Sequence, residues 1–240
     1  MTWFDDGAAY ASGRPTYPAD LVAVLADLAP SRDLAVDVGC GTGQLSVLLA
    51  DHVDRVIGVD PSGSQIDAAT PASNVEYLVG PAEHLPIDDT VASLITVAQA
   101  AHWFDLPAFY DEARRIARPD AVLALITYGV VVLDDDLTDR FGRFYTDEIG
   151  PYWPPERAHV DAGYTDLPFP FERIDVDAPP IERDWTLDEF VDYLRTWSAM
   201  RRAGETGTEL VSALRADLAP VWGDRRRVTW PITVLAGRVA

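Results

Sequence analysis

Lysine is absent from this 240-residue chain: its 19 basic residues are all arginine and stand against 39 acidic ones, which gives a net charge of −20. A field of this sign repels nucleic-acid phosphates and anionic membranes, so we expect neither as a partner. The triplet Asp134, Asp135 and Asp136 is assigned to a solvated acidic surface, because no further metal ligands stand at a diagnostic spacing from it. The sequence therefore predicts no metal site.

Cysteine is nearly absent as well, since Cys40 is the single one. It rules out an internal disulfide and fits a reducing cytosol. The first residues lack the basic start and apolar core of a signal peptide, and no apolar run approaches the ~18 residues that span a bilayer. We expect a soluble, cytoplasmic protein, and 240 residues suffice for one α/β domain with an insertion.

The most informative stretch that is present runs from Leu34 to Gln44. An apolar, strand-like segment leads into Gly39, Gly41 and Gly43, and a helix-like segment follows at once. Such a turn lets backbone N–H groups approach a ligand, because no Cβ stands in the way. The spacing differs from the dinucleotide fingerprint G-x-G-x-x-G, which disfavours a pyrophosphate ligand.

A carboxylate at the end of the next strand strengthens this interpretation. The apolar run at residues 56–59 ends on Asp60, about 20 residues after the glycines, where a carboxylate accepts both hydroxyls of a ribose. The alternative is that Asp60 only forms a turn before Pro61. The glycine turn favours ribose binding.

Strands and helices alternate as far as Tyr128, and the pattern then changes to aromatics and prolines. The alternation predicts a doubly wound, mostly parallel sheet covered on both faces. We predict a single domain. It comprises an N-terminal arm and helix (1–30), a core (31–128), a helical cap insertion with a late strand (129–225) and a last-strand segment (226–240). Within that last segment, the strand itself is predicted at residues 228–239.

Three segments carry a family resemblance: V-D-V-G-C-G-T-G at 36–43, I-G-V-D at 57–60 and G-P-A-E-H-L-P at 80–86. Together they resemble a class I S-adenosylmethionine-dependent methyltransferase, which implies a Rossmann-like, seven-stranded fold. Four flanking motifs resemble the trans-aconitate methyltransferase-like branch of the methyltransferase type 11 group: R-P-T-Y-P (14–18), A-H-W-F-D (101–105), L-P-F-P-F (167–171) and T-W-S-A (196–199). The implied cofactor is S-adenosyl-L-methionine, with S-adenosyl-L-homocysteine as product.

The resemblance also assigns residues to the cofactor. It implies that Gly39, Cys40 and Gly41 contact the methionine part and that Asp60 holds the ribose. Ala82 and Glu83 are expected at the adenine, and Gln99 beside the sulfonium. Pro61 is expected in the turn that ends the strand, and Tyr10 and Arg14 in an N-terminal lid. Arg14 is able to pair with the cofactor carboxylate.

The acceptor site is predicted from the chemistry of methyl transfer, which chiefly requires alignment and exclusion of water. His102 is either a general base for a hydroxyl acceptor or a polar residue that satisfies loop backbone. The other candidate substrate residues are Tyr17, Trp103, Tyr128, Tyr152, Trp153, Arg157 and Trp197. An anionic acceptor requires an arginine, either Arg157 or one of Arg225, Arg226 and Arg227, which otherwise protect an edge strand.

We therefore predict an enzyme, a monomer or homodimer, that methylates a carboxylate or hydroxyl oxygen of a small molecule. Two alternatives stay open at this point. One is a protein that binds the same cofactor without catalysis, and the other is a nicotinamide-dependent oxidoreductase, which the glycine spacing disfavours.

Overall fold

The computed structural model describes residues 14–239. The strands are β1 (Ala35–Val38), β2 (Val56–Asp60), β3 (Val75–Val79), β4 (Ala92–Ala98), β5 (Ala117–Tyr128), β6 (Glu172–Ile174), β7 (Ile181–Trp185), β8 (Arg226–Trp230) and β9 (Ile232–Arg238). Seven of them form one sheet in the order β3-β2-β1-β4-β5-β9-β6. β1 to β5 pair in parallel, whereas β9 runs antiparallel to both β5 and β6. This confirms the predicted mostly parallel, seven-stranded sheet.

The helices are α1 (Ala19–Leu28), α2 (Gln44–Leu49), α3 (Gly63–Asp67), α4 (Leu106–Ile116), α5 (Asp135–Arg143), α6 (Arg157–Asp161), α7 (Leu187–Arg195), α8 (Ser198–Ala203) and α9 (Glu205–Trp222). Shorter turns of 3₁₀ and π type lie at Ala101–Trp103, Gly150–Tyr152 and Phe144–Glu148. α7 begins with a capping box, in which Thr186 Oγ1 accepts the N–H of Glu189 and Glu189 Oε2 accepts the N–H of Thr186. Among residues 14–239, no helix combines the length and apolarity needed to cross a membrane.

Both faces of the sheet are covered, because successive strand residues point to opposite sides. One buried cluster joins Ala35 and Leu94 to Leu21 of α1 and Leu49 of α2. The other cluster packs the alternate strand residues, among them Val36 and Ile95, against Phe109 and Ile116 of α4. β1 and β2 are buried along their whole length, as expected of central parallel strands.

The path of the chain places a crevice beside β1. After β1 the chain moves outward to β2 and β3 and then returns to β4 on the other side of β1. Ala35 is therefore in register with Val56 of β2 on one side and Leu94 of β4 on the other. Ligands of such sheets bind at this switch point, outside the carboxyl ends of the strands.

The cap segment, residues 129–225, packs around an aromatic cluster centred on Trp197. This side chain is 2% exposed. Its ring lies 5.1 Å from that of Trp153 and 5.6 Å from that of Tyr193, measured between centroids. Phe141 and Phe144 contact the same indole. Much of the aromatic content of this segment therefore forms its own core.

The predicted last strand at residues 228–239 differs from the structure. Pro231 interrupts it, because proline has no N–H for a strand ladder, and two strands result. β8 pairs antiparallel with β7 in a separate two-stranded sheet, and β7 was missing from the sequence prediction. Only β9 belongs to the main sheet, where Leu235 is in register with Leu125 of β5. The division into a single domain with a cap stays a prediction.

Candidate active site

A cleft at the carboxyl ends of β1 and β4, here called the first cavity, encloses about 890 Å³ of empty space including its open mouth. The structure brings these predicted residues together around it: Arg14, Tyr17, Gly39, Cys40, Gly41, Asp60, Pro61, Gln99, Trp103 and Tyr128. Tyr10 lies outside the described residues.

The three glycines of the turn have different surroundings, although all three have positive φ (Gly39 +70°, Gly41 +55°, Gly43 +80°). A Cβ on Gly39 would lie 2.5 Å from the Cβ of Ala100. A Cβ on Gly43 would collide with the ring of Tyr77, whose Cζ would be 2.7 Å away. Only Gly41 faces open space, where the nearest atom, Gln65 Oε1, is 3.7 Å away. The backbone of Gly41 is therefore open to the cavity, whereas Gly39 and Gly43 make room for protein side chains.

Asp60 ends β2 on the rim of the first cavity and is 9% exposed. Its Oδ2 accepts the N–H of Gly41 at 2.9 Å, and its Oδ1 accepts the N–H of Ser62 at 2.9 Å. Burial raises the pKa of this carboxyl, and the two backbone bonds oppose that shift. Each carboxylate oxygen has a second lone pair, so Asp60 still has one acceptor position on each oxygen for a diol.

Asp37 is a second carboxylate in the wall of the first cavity. Its oxygens accept the hydroxyls of Ser46 at 2.6 Å and Thr96 at 2.9 Å. Burial raises the pKa of Asp37 to about 6 despite these bonds. Burial, followed by the charges of Asp37 and Asp60, also raises the pKa of Cys40, which keeps that side chain a neutral thiol.

The charged and polar groups that line the first cavity fit S-adenosylmethionine better than a dinucleotide. Asp37 and Asp60 favour a cation, and the sulfonium and ammonium groups of that cofactor are cations. A pyrophosphate would face both carboxylates, and Gln44 occupies the place where the dinucleotide fingerprint has its third glycine. The open face of Gly41 and the remaining acceptor positions on Asp60 suit a ligand that contains a ribose.

Arg14 and Tyr17 cover this cavity from the N-terminal side. Arg14 donates from Nη1 to Tyr128 Oη at 3.4 Å and from Nη2 to the carbonyl of Thr196 at 3.3 Å. The rings of Tyr17 and Tyr128 lie 6.1 Å apart between centroids. The arm thus meets both the end of β5 and the cap segment.

Gln99 follows β4 in a left-handed conformation, with φ of +55°. Its amide is held at both ends, since Nε2 donates to the carbonyl of Tyr128 at 3.0 Å and Oε1 accepts the hydroxyl of Thr127 at 3.0 Å. Such a conformation is sparsely populated for a residue other than glycine, and it places Gln99 in the lining of two cavities.

The second cavity adjoins the first and shares Arg14, Gln99 and Trp103 with it. It encloses about 570 Å³ of empty space including its opening. The residues that line only the second cavity are His102, Trp153, Pro154, Arg157, Val160, Ser198 and Arg201. Within residues 14–239 no carboxylate lines it, although acidic residues outnumber basic ones two to one in the chain.

Arg157 is fixed in position on α6 at the edge of the second cavity. Its Nε donates to Tyr145 Oη at 3.0 Å and to Asp161 Oδ1 at 2.9 Å, and its guanidinium lies 4.7 Å from the centroid of the Trp153 ring. These contacts engage Nε and the planar face. They leave the η nitrogens without a hydrogen bond to residues 14–239, so these donors remain for a ligand of the cavity that Arg157 lines.

His102 lies between this cavity and Tyr164, whose hydroxyl is 2.7 Å from His102 Nδ1. Burial, together with the positive charges of Arg157 and His159, lowers the pKa of His102 to about 3. The imidazole is therefore neutral at physiological pH.

Four predicted residues lie outside the lining of both cavities. Ala82 is buried beside the end of β3, and Glu83 accepts the N–H of Asp105 at 2.9 Å. Tyr152 is half-buried against the core of the cap segment. Trp197 is enclosed by other aromatic rings and is part of that core.

The arginines at residues 225–227 lie away from both cavities. Arg226 pairs with Asp136 at 2.6 Å, and Arg225 pairs with Glu189 at 3.1 Å. The Asp134–Asp136 triplet thus supplies partners for a basic strand end. Within the described residues, no three His, Cys, Asp or Glu side chains form a group that would hold a metal ion.

Sequence reasoning missed some residues that line the first cavity, namely Asp37, Thr42, Gln44, Leu45, Ala98 and Ala100. Asp37 was detectable, since an acidic residue inside an apolar strand just before the glycine turn needs buried partners. Ser198 and Arg201 of the second cavity were also missed. Ser198 lies in the T-W-S-A motif and was detectable there, whereas nothing in the local sequence separates Arg201 from other arginines on helices.

Comparison with known proteins agrees with this geometry. Residues 36–125 match the methyltransferase domain family. The chain is 36% identical over 206 residues to a Dictyostelium discoideum protein assigned to the methyltransferases, which covers 82% of this chain and 78% of that protein. An uncharacterized methyltransferase of Mycobacterium tuberculosis is 38% identical over 119 residues, or 49% of this chain and 48% of that protein.

A solved structure from Anaeromyxobacter dehalogenans, assigned to the type II methyltransferases, is similar over nearly the whole chain. The TM-score is 0.86 with 42% sequence identity, and the match covers 94% of this chain and 98% of the other. The chain therefore belongs to the class I S-adenosylmethionine-dependent methyltransferases.

Proposed function

We propose that this methyltransferase transfers a methyl group to an oxygen of a small anionic molecule, and that a carboxylate is a better acceptor than a hydroxyl. The observation that carries the proposal is the second cavity. It meets the first cavity at Gln99 and Trp103, and arginines line it without any carboxylate among the described residues. In a chain of net charge −20, such a lining favours an anion.

The first cavity is the proposed cofactor site. S-adenosylmethionine, the cofactor of this enzyme family, would supply a methyl group that is bonded to a positively charged sulfur. The methyl group would pass to the acceptor oxygen on the side opposite that sulfur, and the sulfur would leave as part of S-adenosylhomocysteine. Asp60 accepts the ribose hydroxyls, and Gly39, Cys40 and Gly41 hold the methionine part. Asp37 balances positive charge from the wall.

The proposed adenine end of the cofactor site is supported by one backbone hydrogen bond. The N–H of Gly80, just after β3, donates to the carbonyl of Asp60 at 3.1 Å, which holds the start of the segment that contains Ala82 and Glu83 at the end of β2. We propose that these two residues and Pro61 border the adenine. Arg14, already held by Tyr128 and Thr196, lies where it can pair with the carboxylate of the cofactor.

Arg157 is the residue that would bind the acceptor. An arginine whose position is fixed by other contacts loses little side-chain entropy when it pairs with a carboxylate. Arg201 of α8 lies on the same cavity and adds positive charge. Trp103, 39% exposed, is placed to close the space between the two cavities and to exclude water from the transfer.

The acid–base properties of the site favour a carboxylate. A carboxylate attacks without losing a proton, whereas an alcohol or phenol needs a base. The pKa of His102, about 3, makes this residue a weak base, and it is the only histidine that lines either cavity in the described part of the chain. The resemblance of the flanking motifs to the trans-aconitate branch implies the same acceptor chemistry and stays a prediction.

A cytoplasmic monomer or homodimer without nucleic-acid or membrane partners is also part of the proposal. It rests on the charge of −20 and on the single cysteine, Cys40.

A methyl-transfer screen tests the acceptor class. The chain is incubated with S-adenosylmethionine labelled in its methyl group and with separate panels of di- and tricarboxylic acids, phenols and amines. We expect label only in the carboxylic acids, as base-labile methyl esters, and less label with Asp60→Ala at limiting cofactor. Base-stable label in phenols or amines, without esters, would refute the carboxylate proposal.

A further inference from the structure

Tyr164 is the partner of His102, and its backbone is unusual. It follows α6 and is fully buried, with a φ of +61°. A left-handed aromatic residue is rare, and such residues concentrate where the surrounding structure requires a particular side-chain position. Here the conformation brings the phenol to the buried side of His102, with 5.8 Å between the two ring centroids.

The turn before Tyr164 is built to reach that position. Gly163 also has a positive φ of +61°, and a Cβ there would lie 2.9 Å from Thr233 Oγ1 of β9. The N–H of Tyr164 donates to the carbonyl of His159 at 2.8 Å. Two successive left-handed residues therefore end α6 and turn the chain so that the phenol faces the imidazole.

The bond between these side chains has the length of an O–H donor. The distance of 2.7 Å between Tyr164 Oη and His102 Nδ1 is at the usual value for an O–H group and at the short limit for an N–H group. A neutral imidazole has one N–H donor and one acceptor nitrogen. If Tyr164 donates to Nδ1, the proton of His102 is on Nε2, which makes no hydrogen bond within residues 14–239.

The lining of the second cavity suits a hydrogen-bond donor at Nε2. Arg157, Arg201 and Ser198 line the cavity with hydrogen-bond donors, and His102 lies among them. An anionic acceptor bound there would be repelled by a lone pair on Nε2 and attracted by an N–H. The tautomer set by Tyr164 is therefore the one that matches the charge of the cavity.

We propose that Tyr164 is a positioning residue that donates to His102 Nδ1, so that His102 presents Nε2–H to the acceptor oxygen and orients it instead of removing a proton. The part that concerns the acceptor rests on the proposed function, whereas the tautomer itself does not. This assigns His102 a part different from the two that the sequence left open, a general base or a loop residue.

The test is nitrogen NMR of the full chain labelled with ¹⁵N in its histidine rings, without any acceptor. Among the four histidines, the signals of His102 are identified as those that are missing in His102→Gln. We expect the His102 signals of a neutral ring protonated on Nε2, with an Nδ1 that accepts a hydrogen bond. In Tyr164→Phe, which retains the ring, Nδ1 should lose the shift due to that bond and the second tautomer should become detectable. A wild-type ring protonated on Nδ1, or an Nδ1 signal that Tyr164→Phe leaves unchanged, would overturn the proposal.

A kinetic readout separates positioning from folding. With the carboxylic acid that is methylated fastest in the screen, Tyr164→Phe should raise the acceptor KM about tenfold, as expected for one hydrogen bond, and leave the Kd for S-adenosylmethionine unchanged. Tyr110→Phe is the matched control, because it removes a hydroxyl that donates to the carbonyl of Pro168 at 2.6 Å, away from both cavities. Equal losses in the two variants would mean that a structural effect explains Tyr164. Because the NMR experiment needs no acceptor, it still tests the tautomer of His102 if the carboxylate proposal fails.

Discussion

The carboxylate of Asp60 accepts the backbone N–H of Gly41 at 2.9 Å, so one side chain at the end of β2 fixes the loop after β1. The same side chain still has acceptor positions for a ligand diol. Asp60 therefore joins the two ends of the proposed cofactor site, the glycine loop and the ribose position.

Replacing Asp60 should weaken cofactor binding through both effects. We expect Asp60→Ala to weaken the binding free energy of S-adenosylmethionine by about 1–3 kcal/mol, as for hydrogen bonds to a charged group, and so to raise its Kd. Titration calorimetry measures this directly, and Asp224→Ala, at an exposed site, is the control. An unchanged Kd for Asp60→Ala would remove this residue from the site.

Asp37 should reduce stability at neutral pH in return for cofactor binding. Its folded pKa of about 6 lies above the ordinary value of 3.8, so its stabilising contribution is complete below 3.8 and is lost as the pH rises through 6. Asp37→Asn should therefore raise the free energy of unfolding at pH 7 by roughly 1–3 kcal/mol, change it little at pH 4, and weaken binding of S-adenosylmethionine. Denaturant unfolding at both pH values checks this, with exposed Asp88→Asn as control. Destabilisation at pH 7 would contradict the prediction.

The glycine turn illustrates how far the sequence predicts this site. The spacing of Gly39, Gly41 and Gly43 indicated a ligand loop, and the structure has that loop at the switch point. The individual functions of the glycines depend on Ala100, which follows β4, and on Tyr77 of β3. Local pattern thus predicts the turn, whereas the function of each residue depends on tertiary contacts.

The cap segment shows where prediction from sequence ends. Trp197 and Arg157 were both candidates for substrate contact, because both stand in the predicted cap insertion. In the structure Trp197 is 2% exposed, whereas Arg157 reaches the second cavity. The difference arises from packing between α5, α7 and α8, which no spacing within the sequence encodes. Likewise, the predicted strand over residues 228–239 did not allow for the break at Pro231, and the partner of β8 follows only from the fold.

Gly43 should be essential for folding through its contact with Tyr77. Gly43→Ala must adopt a φ of +80° and displace the Tyr77 ring, so we expect a loss of at least about 2 kcal/mol in unfolding free energy. Denaturant unfolding of Gly43→Ala, Tyr77→Ala and the double variant forms the cycle that measures the coupling. Gly63→Ala, where no atom lies within 4 Å of the new Cβ, should be neutral. Additive losses in the cycle would show that Tyr77 is not the obstacle.

Arg157 should determine acceptor affinity. Arg157→Gln should raise the KM of the best carboxylate by roughly 10- to 100-fold, since a hydrogen bond to a charged group is worth about 1.5–3 kcal/mol, and should leave the Kd of the cofactor unchanged. Arg157→Lys should restore little, because the contacts to Tyr145, Asp161 and Trp153 depend on the planar guanidinium. Steady-state kinetics beside Arg143→Gln, an exposed arginine of α5, decide the matter. An unchanged acceptor KM would place the anion elsewhere.

His102 should make the protein sensitive to acid. Its folded pKa of about 3 lies below the ordinary 6.5, so the unfolded chain binds a proton between these values and the folded chain does not. Stability is therefore lost as the pH falls through this window, the opposite sign to Asp37. Arg157 and His159 oppose protonation of the ring, and Arg14 and Arg201 line the same cavity.

Relative to His102→Gln, whose amide oxygen can accept the Tyr164 hydroxyl, the wild type should lose about 2 kcal/mol more unfolding free energy between pH 7 and pH 5. Denaturant unfolding at the two pH values measures this, and His84→Gln, at an exposed position, should behave as the wild type does. A difference of zero between wild type and His102→Gln would mean that the ring accepts a proton in the folded protein as readily as in the unfolded chain.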